Sequence, residues 1–123
     1  MKKIKTKINF KDKRGIIIDL LHKENINAIT YITILKGSVR GNHYHKKTSQ
    51  WNFILSGKMK LISRKKNKIS SVILKKNQLC LTEPMEHHAL VGLTKCELLV
   101  FTKGPRGGKE YESDTFRIED KLA

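Results

Sequence analysis

The chain has 123 residues, with 26 Lys+Arg against 11 Asp+Glu and a formal net charge of +15. That length fits one domain, residues 1–123, which can bury roughly two-thirds of the surface its unfolded chain exposes. A disulfide framework is not expected from two cysteines; nor is a secretory leader, since no apolar core follows Met1-Lys2-Lys3-Ile4-Lys5. No stretch approaches the ~20 apolar residues of a membrane span, so the expected setting is cytoplasmic, with no membrane partner. The positive field attracts anions. The lysines are spread along the whole chain, however, and no aromatic residues interleave the densest basic cluster, so nucleic acid is not an expected partner. A reading as a polyanion binder rests on charge alone and predicts binding that weakens steeply with salt.

In chain order, short apolar or alternating runs recur and helical periodicity is weak. They predict strands over Ile4–Asn9, Gly15–Leu21, Ala28–Leu35, Arg40–His45, Gln50–Ser56, Lys58–Ser63, Ser70–Leu74, Gln78–Leu81, His88–Gly92 and Glu97–Lys103. Leu55-Ser56-Gly57-Lys58 reads as a tight hairpin, and Arg64-Lys65-Lys66-Asn67-Lys68 as a solvated one. Cys80 and Cys96 sit in apolar runs and read as reduced core thiols. Gly104-Pro105-Arg106-Gly107-Gly108 reads as a flexible loop; a phosphate cradle at Gly107 and Gly108 is the alternative. Glu112–Lys121 fits either a short strand or a helical turn. Many short strands without intervening helices predict an all-β antiparallel sandwich or barrel.

The chemistry concentrates in the histidines. His43 and His45 are two apart, which on a strand points both imidazoles to one face and Tyr44 to the other. Gln50 opens the next strand and shares a face with Asn52 and Ile54. A third imidazole arrives after Pro84, from His87 or His88, only one of which can point inward. Two chemistries suit this set. Three neutral imidazoles with a fourth ligand suit a divalent transition metal. Alternatively, an imidazole can remove a proton alpha to a carbonyl and return it elsewhere. Gln50 favours proton transfer, because a carboxamide is a weak ligand that neutralises no charge.

The spacing Gly37-x5-His43-x-His45-x4-Gln50-x6-Gly57 resembles the first motif of the cupins, with Gln50 in place of its glutamate. Pro84-Met85-Glu86-His87-His88 keeps the proline and histidine of their second motif without its glycine, a register that implies His88 turns inward. The resemblance implies a single-domain cupin jelly roll. Val39-Arg40-Gly41-Asn42-His43-Tyr44 and Phe10-Lys11-Asp12-Lys13-Arg14-Gly15 are similar to stretches of dTDP-4-dehydrorhamnose 3,5-epimerases. Arg40 to Lys47 with Gln50, and Glu112-Ser113-Asp114-Thr115-Phe116-Arg117, resemble dTDP-4-keto-6-deoxyglucose 3,4-ketoisomerases more closely still.

These enzymes imply an isomerase or epimerase of a nucleoside-diphosphate 4-keto-6-deoxyhexose, serving surface-polysaccharide synthesis without a cofactor. By position, His43 would be the base, His45 or His88 a cationic oxyanion partner, and Tyr31 the acid. Arg40, Gln50, Asn52 and Lys47 would bind substrate, with Arg40 on phosphate. Trp51 and Phe116 are candidates to stack on the nucleotide base, although Trp51 should turn away from Gln50, as a core residue does. A homodimer is implied, with Ile4–Asn9 as the exchanged strand. Cupin domains of capsular-polysaccharide enzymes also show Arg-Gly-Asn-His-Tyr-His and can bind zinc. They imply the alternative of one divalent transition metal on His43, His45 and His88, with a dioxygenase or sugar-binding role.

Overall fold

The computed structural model describes residues 1–106 and 108–123. Its elements are β1 (Lys2–Ile4), β2 (Ile8–Asp12), β3 (Gly15–Ile18), β4 (Ala28–Ile34), β5 (Val39–Tyr44), β6 (Ser49–Ser56), β7 (Met59–Lys65), β8 (Lys68–Leu74), β9 (Leu79–Thr82), β10 (His87–Gly92), β11 (Cys96–Lys103), α1 (Gly108–Ser113) and β12 (Phe116–Arg117). One antiparallel sheet runs β1-β9-β6-β11-β4, a second β12-β5-β10-β7-β8, and β2 pairs β3 in a separate hairpin. No helix among the described residues is long and apolar enough to cross a membrane. The Gly107 half of the phosphate-cradle reading falls outside the described residues.

The alternation read from the sequence is what builds the two layers. On β6, Ile54 joins the core between the sheets, while Trp51 and Phe53 point the other way into a second cluster with Leu79, Leu20, Leu21 and Ile26. Trp51 therefore turns away from Gln50, as expected. The inter-sheet core takes Ile34, Ile54, Leu98 and Val100 from the first sheet and Met59, Leu61, Leu74 and Leu90 from the second. Cys80 and Cys96 are buried free thiols, and burial pushes Cys80 up to about 11.

Three sequence expectations about the elements are corrected. The predicted strand Ile4–Asn9 is broken: β1 stops at Ile4, where it pairs β9, and β2 starts at Ile8 and pairs β3. Alternation continues through Lys5-Thr6-Lys7, but the backbone has two different partners on either side of it. The strand before the histidines ends at Tyr44, so His45 lies just past it. The backbone N–H groups of Lys46 and Lys47 go to the Asp114 carboxylate instead of a neighbouring strand. The C-terminal segment is both readings at once, one helical turn and then a two-residue strand.

Of the two predicted hairpins, the one at Arg64–Lys68 forms between β7 and β8; the one at Leu55–Lys58 is a correction, because β6 and β7 belong to different sheets and that turn carries the chain from one sheet to the other. Lys66 and Asn67 each take positive φ, 51° and 63°, as a two-residue turn with the twist of its flanking strands requires. Gly57 has φ +80°, and a Cβ there would collide with the Lys95 carbonyl oxygen and lie 2.9 Å from the Cys96 Cα. Gly57→Ala is therefore expected to lose more than about 1 kcal/mol of stability, read as a lower urea midpoint. An unchanged midpoint would show that the β6–β7 turn relaxes freely.

Candidate active site

Between the sheets, beyond the core, lies a cavity of about 480 Å³. Tyr31 and Thr33 of β4, Arg40 and His43 of β5, Gln50 and Asn52 of β6, and His88 of β10 line it. Leu90 and Val100, shared with the core, form its apolar floor. Arg106 and Tyr111 close the remaining wall from the C-terminal segment.

β5 and β10 are adjacent, and His43 is the register partner of His88. The register shifts between His88 and Ala89. At Gly41, with φ +90°, a Cβ would stand 2.9 Å from the His88 carbonyl oxygen. The extra residue of that bulge is Asn42 on β5, at φ 56°, so the bulge re-aims the His43 side of β5, and the glycine beside it lets β5 approach β10 closely.

The three imidazoles cluster. His43 is 4.8 Å from both His45 and His88, centroid to centroid, and His45 is 5.4 Å from His88. One ring nitrogen from each lies within 4.8 Å of the others. His88 Nδ1 stands 3.0 Å from the Glu86 carbonyl oxygen, and His45 Nδ1 stands 2.9 Å from the Asp114 carbonyl oxygen. A carbonyl only accepts, so both nitrogens carry the proton and both Nε2 atoms keep a lone pair. His45 Nε2 is buried without a partner among the described residues.

Burial is the main cause of the electrostatics here. It pulls His43 down to about 4, with His45 and Arg117 adding to the effect. It also lowers His88 well below the ordinary value, helped by the two neighbouring imidazoles. His45 is lowered by burial too, partly offset by Asp114 and Gln50. All three are neutral at pH 7. Burial thus disfavours the cationic form of His45 and His88, and the cations lining the cavity are Arg40 and Arg106.

A stability effect follows. The unfolded chain protonates His43 near pH 6.5, whereas the folded chain does so only near 4. Between those values the unfolded state binds more protons, so stability is full above about pH 6.5 and falls as pH drops towards 4. Urea midpoints at pH 7 and pH 5 should fall more for the wild type than for His43→Asn; equal falls would contradict the shift.

Other expected site residues divide. Arg40 lines the mouth, its Nε donating to the Thr33 carbonyl oxygen at 3.2 Å. Gln50 and Asn52 are buried and line the wall, and Asn52 Nδ2 donates to the Cys80 carbonyl oxygen at 3.3 Å. Tyr31 stands at the rim, 54% exposed, with its hydroxyl donated to Glu97. That bond raises the Tyr31 pKa and keeps the phenol protonated.

Four candidate residues lie elsewhere. His45 sits behind the lining, packed on His43 and, at 5.6 Å, on Tyr111. Lys47 is a correction: it is exposed and absent from the lining, because the turn after Tyr44 carries it outward. His87 points away from the cavity, stacked on Tyr44 at 4.6 Å with Arg64 3.1 Å from its Nδ1. Phe116 continues that outer stack at 5.3 Å from Tyr44, which removes it from the cavity.

Sequence reading missed Arg106 and Tyr111. The Arg106 guanidinium covers the Tyr111 ring at 4.2 Å. Their only sequence signal was proximity to the Glu112–Arg117 match, which does not say where the segment docks.

Facing antiparallel sheets with a histidine cluster at one end of the barrel define a cupin jelly roll. Residues 10–116 match the family described as the polysaccharide biosynthesis C-terminal domain, and the chain belongs to that family. Among solved structures it is similar to the sugar 3,4-ketoisomerase QdtA of Thermoanaerobacterium thermosaccharolyticum in complex with TDP. Identity is 26%, coverage 97% of this chain and 87% of that one, and the TM-score 0.77. A mutant of that enzyme in complex with TDP-4-keto-6-deoxyglucose matches at 25% identity, 97% and 86% coverage and TM-score 0.77. The dTDP-4-dehydrorhamnose 3,5-epimerase of Sulfolobus tokodaii, at 18% identity, 96% and 75% coverage and TM-score 0.76, shares the fold. No curated protein sequence matches the chain significantly.

Proposed function

We propose that this protein is a cytoplasmic isomerase of a nucleoside-diphosphate-linked 4-keto-6-deoxyhexose, working by metal-free keto–enol proton transfer with His43 as base. The observation that carries the reading is a neutral, half-buried His43 at the wall of a cavity whose rim holds two guanidinium groups. The similarity to ketoisomerases that bind TDP and a TDP-4-keto sugar supports it.

The chemistry balances within the substrate. The C4 carbonyl acidifies the proton on C3, and His43 takes it. The C3–H electron pair becomes the C3=C4 bond of an enediolate, and the carbonyl π pair moves onto O4. Gln50 and Asn52, as amide donors in the same wall, and Arg40 supply hydrogen bonds to developing negative charge. Transfer of the O3 hydroxyl proton to O4, with return of the proton from His43 to C4, leaves a ketone at C3 and a hydroxyl at C4. Return to C3 from the other side would be epimerisation; Tyr31, protonated at the opposite strand, is the acid for that event. Arg40 and Arg106 offer planar forks to the diphosphate.

The test is incubation with TDP-4-keto-6-deoxyglucose after chelator treatment, followed by NMR of the sugar. Conversion to a 3-keto isomer or a C3 or C5 epimer is expected, and an unchanged sugar contradicts the reading. The same three imidazoles fit a divalent metal, since their nitrogens converge within 4.8 Å and His45 Nε2 lacks a partner. His43, His45 and His88 would hold it, and it would polarise a substrate carbonyl. Activity that vanishes on chelation and returns with one metal would establish this second reading instead.

We also propose a homodimer. Ile8, Phe10, Ile16 and Ile17 on the β2–β3 hairpin are exposed, as are Ile29 and Leu35 on or beside edge strand β4. An apolar hairpin and an open sheet edge are liabilities that pairing with a second copy covers. The two parts of the predicted exchange strand, β1 and β2, pair β9 and β3 of their own chain, and each keeps one free edge for a partner. Light scattering at micromolar concentration should give twice the monomer mass; the monomer mass would refute it.

A further inference from the structure

Asp114 is 5% exposed, and a buried carboxylate needs partners. Its Oδ1 accepts the backbone N–H of Lys46 at 3.0 Å and of Lys47 at 3.2 Å. Its Oδ2 accepts Lys47 N–H at 3.1 Å and the Thr48 hydroxyl at 2.7 Å. Burial alone would raise its pKa, but these bonds, from Thr48 first, outweigh it and hold the carboxyl below the usual value. All these donors lie in the β5–β6 turn, directly after His45. The Asp114 main-chain carbonyl takes the His45 Nδ1–H at 2.9 Å.

We infer that Asp114 is the positioning residue of His45: its carboxylate docks the end of α1 onto the β5–β6 turn, and its carbonyl thereby selects the Nδ1–H tautomer. The selected tautomer leaves Nε2 as a buried lone pair beside His43. The same docking carries the cavity wall, because Arg106 and Tyr111 lie on the segment that Asp114 ends. One contact thus closes that side of the cavity and sets the state of the imidazole behind it. His88 differs. Its acceptor, the Glu86 carbonyl, is two residues away in its own segment, so its tautomer does not depend on the C-terminal segment.

The difference between the two histidines supplies an internal control. The experiment is NMR of 15N-histidine-labelled protein, which distinguishes Nδ1–H from Nε2–H imidazoles. In the wild type, His45 and His88 should both be pure Nδ1–H. In Asp114→Asn, which keeps the shape but cannot accept the same set of donors, His45 should become a mixture while His88 stays unchanged. Thr48→Val, which removes one bond, should move His45 the same way by less. The inference is overturned if His45 is Nε2–H in the wild type, or stays pure Nδ1–H in both variants. It is also overturned if His45 and His88 change together. Should Asp114→Asn fail to fold, Thr48→Val decides by the same criteria. Turnover of the 4-keto sugar should fall about 10-fold or more in Asp114→Asn with KM little changed. That readout rests on the isomerase reading, whereas the tautomers do not.

Discussion

His43→Asn is expected to lower turnover of a 4-keto sugar nucleotide by about 10²- to 10⁴-fold, the usual contribution of a positioned general base. Asparagine fills similar space and keeps a polar group at the wall, but has no proton affinity near neutrality. Because His43 is one of many groups lining the cavity, KM should change far less than kcat. His45→Asn and His88→Asn should cost less, since neither would be the atom that receives the proton. Equal losses in all three would fit three metal ligands instead, where any one removal empties the site. The acid limb of the wild-type profile should lie near pH 4, because the base works as a neutral imidazole and is lost only when protonated.

Leu98→Ala should lose about 2–5 kcal/mol, out of the roughly 5–15 kcal/mol that hold a domain together. Leu98 is fully buried on β11, with β6 on one side and β4 on the other, opposite Ile54 and Ile32. β11 also carries Val100 in the cavity floor. Removing the isobutyl group leaves a void between two sheets that cannot both collapse into it. Urea unfolding monitored at buried Trp51 reads the change, and a loss below about 1 kcal/mol would mean that the sheets close the gap.

The strands were legible because the buried face of a strand repeats every two residues, and β4, β7 and β11 keep that pattern, while β6 is buried on both faces and reads as an apolar run. The same period placed His43 inward and Tyr44 outward, and it set Gln50, Asn52 and Ile54 on one face. It failed where local pattern and backbone partners disagree. Lys5-Thr6-Lys7 alternates like a strand, yet the chain changes sheets there. Lys47 looked like a neighbour of the histidines in sequence, but the turn pinned by Asp114 sends it outward. Arg106, Tyr111 and Asp114 join the site from about 60 to 70 residues beyond His45. No periodicity announces such docking, because it is fixed by hydrogen bonds to a turn and not by the chain's own repeat. The neutrality of the histidines was hidden for a related reason: it comes from how deeply the finished barrel buries them.

The central claim is that His43 takes a proton from the carbon beside a sugar ketone, and deuterium reads this directly. TDP-4-keto-6-deoxyglucose incubated with chelator-treated protein in D₂O, then analysed by NMR and mass, should gain solvent deuterium at a carbon next to or formerly bearing the ketone. His43→Asn should gain none above the spontaneous rate. Wild-type protein that leaves every carbon of the 4-keto sugar protonated, or a His43→Asn variant that exchanges as fast as wild type, would contradict it.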